Sequence, residues 1–434
     1  KPSAASPYDW SADANQRWFL CAAKKRIHPR EFIAEAFSNS PPYWMTYSGC
    51  ASGASDGGNN LDSLYYDDFA DYLTEVVRHF RTCWGITFRT LEPMNEPMGS
   101  WWSAYGNQEG CHFSRDVQDN IIKIVKAKLK KKKLCTKISA MDESGVDETI
   151  ASYNSYDRVT RSSIYQVNTH VYAGYARQHL KSIARNQHKK LWQSECDGSG
   201  AYAPFSVWPH NHEDIVPALD IAMRINRDQR EMQPDGWVFW QAVESEQRQK
   251  SEDKNWGLIH ADFEEGTEQF NLTKKYYAMA QYTKFIRPGY TMVDINNVDA
   301  IAFIKLPDKI RNRKEQRHKT DLGSHIVKKI LSYIDRIEKK CPLKEEKGTL
   351  VIVQRNASLS DIDYIYDLSG FDFVGANTNV YRTSSTENLK KLSDISIFDK
   401  QFTASATAQS ITTYVISDVN YRGKTDSKII VAND

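Results

Sequence analysis

Residues 65–97 read YYDDFADYLTEVVRHFRTCWGITFRTLEPMNEP, and this stretch decides the fold. Phe69, Tyr72, Leu73, Val76, Val77 and Phe80 recur at the spacing of a helix with one apolar face. Asp67, Asp68 and Asp71 fall in or near its first turn, where the helix dipole favours negative charge. The spacing predicts a helix over 65–82. From Ile86 the pattern switches to a β-rich run that predicts a strand over 86–92, ending in the polar turn Asn95-Glu96-Pro97.

The same alternation extends outward in both directions. Strands are expected at about 31–37, 137–142, 165–171, 190–195 and 236–241. Helices are expected near 114–131, with Ser114 as its cap, and near 175–186, 214–232 and 273–286. No Gly-rich phosphate loop follows any strand, so the α/β pattern suits a (β/α)8 TIM barrel better than a doubly wound sheet. Six strand-then-helix units leave the count two short of eight. After about residue 290 the texture changes to short strands at 350–354, 363–368, 379–382, 402–404 and 411–416, separated by Gly, Asn and Ser turns. They read as a C-terminal antiparallel β-sandwich. The expected domains are a barrel over 1–289, N-terminally incomplete, and a sandwich over 290–434.

Composition bounds the remaining possibilities. With 434 residues, 40% hydrophobic and 26% charged, the chain can bury a substantial core. No stretch approaches the roughly 18–20 apolar residues of a membrane-spanning helix, and Lys1 to Pro7 contain no apolar leader core. All eleven Trp lie between Trp10 and Trp256. A basic insertion at about 305–347 carries 14 Lys+Arg against 7 Asp+Glu. Its Ile326, Ile330, Tyr333, Ile334 and Ile337 predict an amphipathic helix, read as solvated; with no aromatic but Tyr333 it offers little for nucleic-acid stacking. Seven cysteines, from Cys21 to Cys341, form no CxxC pair, and their odd number leaves at least one unpaired. The sequons at Asn271 and Asn356 are compatible with secretion.

In a βα barrel the reacting groups lie at the C-terminal strand ends, and these converge here on one chemistry. The strands run into Asn95-Glu96, His170-Val171-Tyr172, Ser194-Glu195 and Trp240-Gln241. Two carboxyl groups with an imidazole, a phenol and an indole match what glycoside hydrolysis needs: a proton donor, an attacking carboxylate and aromatic faces for sugar. Asp142-Glu143, Glu244 and Glu246 also end strands but lack such settings and read as loop-ordering groups. His210-Asn-His212-Glu-Asp214 has the look of a metal tract, yet glycoside hydrolysis needs no metal, so it reads as a solvated loop. Cys196 reads as packing. No metal or cofactor is expected.

Phe37-Ser-Asn-Ser-Pro-Pro-Tyr-Trp-Met-Thr46, Pro93-Met-Asn-Glu-Pro97, Trp101-Trp102, Gln108-Glu-Gly-Cys-His112, Trp192-Gln-Ser-Glu195, Trp237-Val-Phe-Trp-Gln241 and Trp256-Gly-Leu-Ile259 resemble glycoside hydrolase family 30, particularly its endo-β-1,6-galactanase branch. The resemblance implies a retaining, secreted enzyme acting on polysaccharide or oligosaccharide, as a monomer and without a membrane span. It matches Glu96 to the acid/base, Glu195 to the nucleophile and Asn95 to the partner of the sugar 2-hydroxyl. His170, Tyr172, Trp44 and Trp240 match positions lining the subsite of the attacked sugar. For Trp101, Trp102 and Trp208 both sugar stacking and packing in the barrel-helix seams stay open. The first visible strand corresponds to the family's third, and the basic insertion replaces a short turn. The alternatives are a related specificity (β-1,6-glucan, xylan or a glucosyl lipid) and a non-catalytic carbohydrate-binding protein. A retaining pair implies carboxyl groups roughly 5–5.5 Å apart, with a raised pKa at the acid/base.

Overall fold

The computed structural model describes residues 1–197, 208–306, 347–420 and 428–433. These divide into two compact units, one holding 1–197 with 228–240, the other 208–227 with the described residues from 241 onward.

The first unit is built on a six-stranded parallel sheet in sequence order. Its elements are α1 (Ala14–Arg26), β1 (Glu35–Phe37), α2 (Tyr66–Cys83), β2 (Thr90–Glu92), α3 (Arg115–Lys131) and β3 (Lys137–Gly145). There follow α4 (Val146–Ser155), α5 (Arg158–Ser163), β4 (Ile164–Ala173), α6 (Arg177–Asn186), β5 (Lys190–Glu195) and, beyond α7 (Ile215–Glu231), β6 (Gly236–Trp237). All six expected strands and the four helices from 65 to 232 are present, each within a few residues of its expected bounds. Among the described residues, β1 and β6 each pair on one side only. The core lies between the sheet and its helices: Phe69, Leu73 and Val77 of α2 and Val117, Ile121 and Val125 of α3 cover Leu91, Ile138 and Val167. Ser114 precedes α3, but its hydroxyl donates to Asp116 and does not cap the helix.

Two irregularities in the sheet matter for the site. Between β3 and β4 the register runs Met141↔Asn168 then Glu143↔Thr169, leaving Asp142 as an extra residue with φ 56°. Between β4 and β5 it runs Thr169↔Gln193 then His170↔Glu195, leaving Ser194 extra. Such bulges bend a strand and re-aim its side chains.

The second unit contains β7 (Val243–Ser245), α8 (Glu246–Ser251), β8 (Ile259–Ala261), β9 (Phe270–Leu272) and α9 (Lys274–Thr283). Its β-rich part comprises β10 (Thr291–Ile295), β11 (Ala300–Lys305), β12 (Gly348–Asn356), β13 (Ile362–Asp367) and β14 (Asn377–Thr383). It continues through β15 (Lys390–Lys391), β16 (Ile395–Ser396), β17 (Gln401–Ala406), β18 (Ser410–Val419) and β19 (Lys428–Asn433). One layer runs β14-β18-β12-β11-β10 and the other β19-β13-β17, antiparallel within each. Their inner faces meet in one core, where Tyr366 stacks on Phe402 at 4.6 Å and leans on Tyr414 at 5.2 Å. The layers are joined by a parallel pair, β10 with β19, so the expected purely antiparallel sandwich is corrected at that seam. Residues 307–346, which hold nearly all of the basic insertion and its expected helix, lie outside the described residues. The insertion leaves from Lys305 and returns at Thr349, directly paired neighbours on β11 and β12.

Asn356 is 3% exposed, and its amide donates to the carbonyls of Ser360 and Ala406. That sequon is therefore closed to glycan addition in the folded chain, whereas Asn271 is exposed. No helix among the described residues is long and apolar enough to cross a membrane.

Candidate active site

The C-terminal ends of β2 to β5 bring four of the expected residues into one network. Glu96 sits in the turn after β2 with φ 43°, a conformation that costs a non-glycine residue energy and needs support. That support is visible. The Glu96 N–H donates to the Asp142 carbonyl at 2.8 Å, and the Glu96 carbonyl accepts from Gly99 N–H at 2.8 Å and from Trp102 Nε1 at 3.0 Å. Trp102, only 3% exposed, lies in a seat made by glycines: a Cβ on Gly110 would stand 2.0 Å from its ring. Trp102 thus packs, and holds the Glu96 turn as it does so. Trp101 is exposed.

His170 of β4 is fully buried and faces three carboxyl groups. Its Nδ1 lies 3.1 Å from Glu96 Oε1 and 3.7 Å from Glu195 Oε1, and its Nε2 lies 3.4 Å from Asp142 Oδ1 without hydrogen-bond alignment. Tyr172 OH donates to Glu195 Oε1 at 3.1 Å. A carboxylate oxygen of Glu96, a ring nitrogen of His170 and a carboxylate oxygen of Glu195 all lie within 4.8 Å of one another. Asn95, beside Glu96, is 2% exposed, and its Oδ1 has no hydrogen-bond partner among the described residues.

Electrostatics follow from this packing. Burial, then the charges of Asp142 and Glu96, lift the Glu195 carboxyl to about 7, against the lowering pull of His170 and the Tyr172 hydrogen bond. Burial alone would push His170 down, but Glu195 and Asp142 outweigh it and hold the imidazole well above its ordinary value. Burial and the Glu195 charge push the Tyr172 phenol well up, so it remains a donor. Glu195, matched to the nucleophile, is flanked by two other acids and lifted by burial and by them, and burial lifts the carboxyls of Glu143, Glu92 and Glu35 as well. The trio could crowd a cation, yet an imidazole kept charged by its neighbours is a poor metal ligand.

The remaining expected residues, Trp44 and Trp240, come after β1 and β6. Trp44 follows β1, with its indole N–H donating to the Lys1 carbonyl at 2.9 Å and its ring edge-on to Tyr65 at 5.6 Å. Trp240 follows β6, its N–H bonded to the Cys196 carbonyl at 2.8 Å. Cys196 is fully buried. Glu143 is also buried, accepting from Ser152 Oγ, Met98 N–H and Gln118, which is the loop-ordering part expected of it. Asp142, read the same way, is instead part of the mouth: its Oδ1 accepts from Ser194 Oγ at 2.5 Å and faces His170. Sequence reasoning missed that role because no alternation pattern marks a bulge.

Residues 3–188 match the family described as O-Glycosyl hydrolase family 30. The chain is similar to glycoside hydrolase family 30. It is 33% identical over 307 residues to the endo-beta-1,6-galactanase of Hypocrea rufa, covering 70% of the chain and 58% of that protein. It is 26% identical over 440 residues to the exo-beta-1,6-galactobiohydrolase of Bifidobacterium longum, covering 89% of the chain and 27% of that protein. The chain therefore spans little more than half of the first relative and about a quarter of the second. Among solved structures, the family 30 subfamily 8 xylanase Xyn30A from Clostridium acetobutylicum superposes with a TM-score of 0.64 at 20% identity. That likeness covers 96% of this chain and 88% of the other, and bears on the fold: a barrel with a C-terminal β domain.

Proposed function

We propose that this chain carries a retaining glycoside hydrolase site that cleaves β-1,6-linked galactan by double displacement, within an extracellular polysaccharide. The observation that supports it best is the carboxylate pair of Glu96 and Glu195, with oxygens within 4.8 Å across His170. That spacing suits direct attack, since an inverting pair stands roughly 6.5–9.5 Å apart to admit a water. Glu195, with its proton lost, attacks the anomeric carbon as Glu96 protonates the departing oxygen. Glu96 then deprotonates the water that releases the sugar. Tyr172 holds the nucleophile's orientation through its hydroxyl, and Asn95 offers its free carbonyl oxygen to the sugar 2-hydroxyl. Trp44 and Trp240 are assigned to the walls of the same subsite. The two galactan-cleaving relatives support the β-1,6-galactan assignment over the other family specificities.

The test is incubation of the chain with β-1,6-galacto-oligosaccharides, the product anomer being followed by NMR. A β-configured first product and loss of turnover in Glu96→Gln and Glu195→Gln are expected. Turnover of β-1,6-glucan or xylan alone would replace the substrate assignment, an α-configured first product would refute retention, and binding without hydrolysis would make the chain a carbohydrate-binding protein.

A further inference from the structure

Away from the mouth, and within the second unit alone, three imidazoles surround one carboxylate. His210 and His212 lie just before α7, Glu246 is the first residue of α8, and His260 is the middle residue of β8. His212 Nε2 is 2.9 Å from Glu246 Oε2, His210 Nε2 is 3.2 Å from Oε1, and His260 Nδ1 is 3.4 Å from Oε2. One potential ligand atom from each of the four residues lies within 4.8 Å of all the others.

A ring proton accounts for only part of this gathering: His212 Nε2 meets Glu246 Oε2 in hydrogen-bonding geometry. His260 is fully buried, and its Nε2 is within hydrogen-bond reach of the Trp256 carbonyl, which can only accept. Nε2 therefore carries the ring proton, and Nδ1 turns a lone pair toward the Glu246 carboxylate. Among the described residues Nδ1 has no hydrogen-bond partner, and neither has the buried Nε2 of His210, despite its distance of 3.2 Å from a carboxylate oxygen. A buried lone pair turned on an anion repels it unless a cation stands between them. A backbone carbonyl accepting from the far nitrogen of an imidazole is the outer arrangement that fixes a metal-binding tautomer. Three imidazole nitrogens and one carboxylate oxygen suit a borderline divalent cation that favours four ligands, zinc before calcium or magnesium.

We propose that His210, His212, Glu246 and His260 bind one zinc-class divalent cation. The ion ties three segments that are separate in sequence, the stretch before α7, the start of α8 and β8, into one rigid corner of the second unit. Its role is structural, and the proposal stands apart from the proposed hydrolysis.

The experiment loads the full 434-residue chain with zinc, dialyses it against metal-free buffer and measures metal per chain by mass spectrometry. One zinc per chain is expected, with loss of most of it in His212→Gln and Glu246→Gln and full retention in Glu195→Gln. Cobalt loaded in its place should show the visible absorption of a four-coordinate ion. A strong chelator should lower Tm by several degrees in the parent chain and leave the Tm of His212→Gln unmoved. Absence of stoichiometric zinc and cobalt from a parent chain folded by circular dichroism would overturn the proposal. So would metal that is lost in Glu195→Gln and kept in Glu246→Gln, because that pattern places the ion at the mouth.

Discussion

Replacing His170 by asparagine keeps a hydrogen-bond donor near the place of Nδ1 and deletes the cation that faces three acids. The imidazole nitrogen is 3.7 Å from Glu195 Oε1. Unit charges at that distance attract by about 4 kcal/mol at an effective dielectric of about 20. At about 1.4 kcal/mol per pH unit, this sets a ceiling of about three units on what His170 does to Glu195. The cation is shared with Glu96 at 3.1 Å and Asp142 at 3.4 Å, and the Glu195 side chain is 17% exposed, so about one to two units is expected. The sign is fixed: losing a cation disfavours the carboxylate, and the Glu195 carboxyl, at about 7 in the parent, rises further. If Glu195 is the nucleophile, the acidic limb of kcat/KM on galacto-oligosaccharides moves up with it. Activity should then fall about 10–100-fold below pH 6 and recover toward the parent above pH 9. Carboxyl NMR titration, with Glu195→Gln identifying the resonance, reads the same shift without turnover. A uniform loss across pH with an unmoved limb and resonance would refute the electrostatic account of His170.

Glu96→Gln and Glu195→Gln should each lower kcat on galacto-oligosaccharides by at least about 100-fold, measured by reducing-end release. Glu195→Gln should also alter stability. The folded-state value of about 7 lies above the ordinary 4.5, so the group's contribution is fully present below about pH 4.5 and is lost as pH rises through 7. Urea denaturation should therefore show the variant gaining on the parent across that window, by at most about 3 kcal/mol. Gly110→Ala forces a Cβ to within 2.0 Å of the Trp102 ring; a loss of about 1–3 kcal/mol is expected, with a drop in kcat as the Glu96 turn loses its Trp102 bond. Phe69→Ala, at a fully buried position, should cost about 3–5 kcal/mol by the same denaturation measurement.

Much of the architecture was legible because parallel strands covered on their faces are apolar runs that end abruptly in polar turns, as 86–97 does. Helix α1 was not, since Ala14–Arg26 buries no residue and so carries no apolar stripe to read. Helices α4 and α5 pack into a short crossover where their pattern merges with the flanking strands. In the sandwich, β10, β11 and β19 escaped notice: each is short, and the parallel seam between β10 and β19 joins segments more than a hundred residues apart. At the mouth, Glu96 and Glu195 stood out through their neighbours in sequence, and His170 and Tyr172 through their place at a strand end. Asp142 did not, because its role depends on a contact with Ser194 across an intervening strand. His210 and His212 looked like half of a ligand set, and the other half, Glu246 and His260, shares no local spacing with them.

The paired bulges at Asp142 and Ser194 also constrain how this sheet can vary. A regular strand alternates its side chains between two faces, so every residue beyond an inserted one changes sides. Deleting either residue would not simply remove a hydrogen bond. It would turn Glu143 toward the mouth on one strand, or rotate Glu195 out of it on the other, and exchange a reactive face for a packing face. Point substitutions at these two positions are a matter of degree, but changes in strand length there are all-or-none. Lineages of this fold should therefore vary in chemistry around the mouth while holding the residue count of β3 and β5 constant.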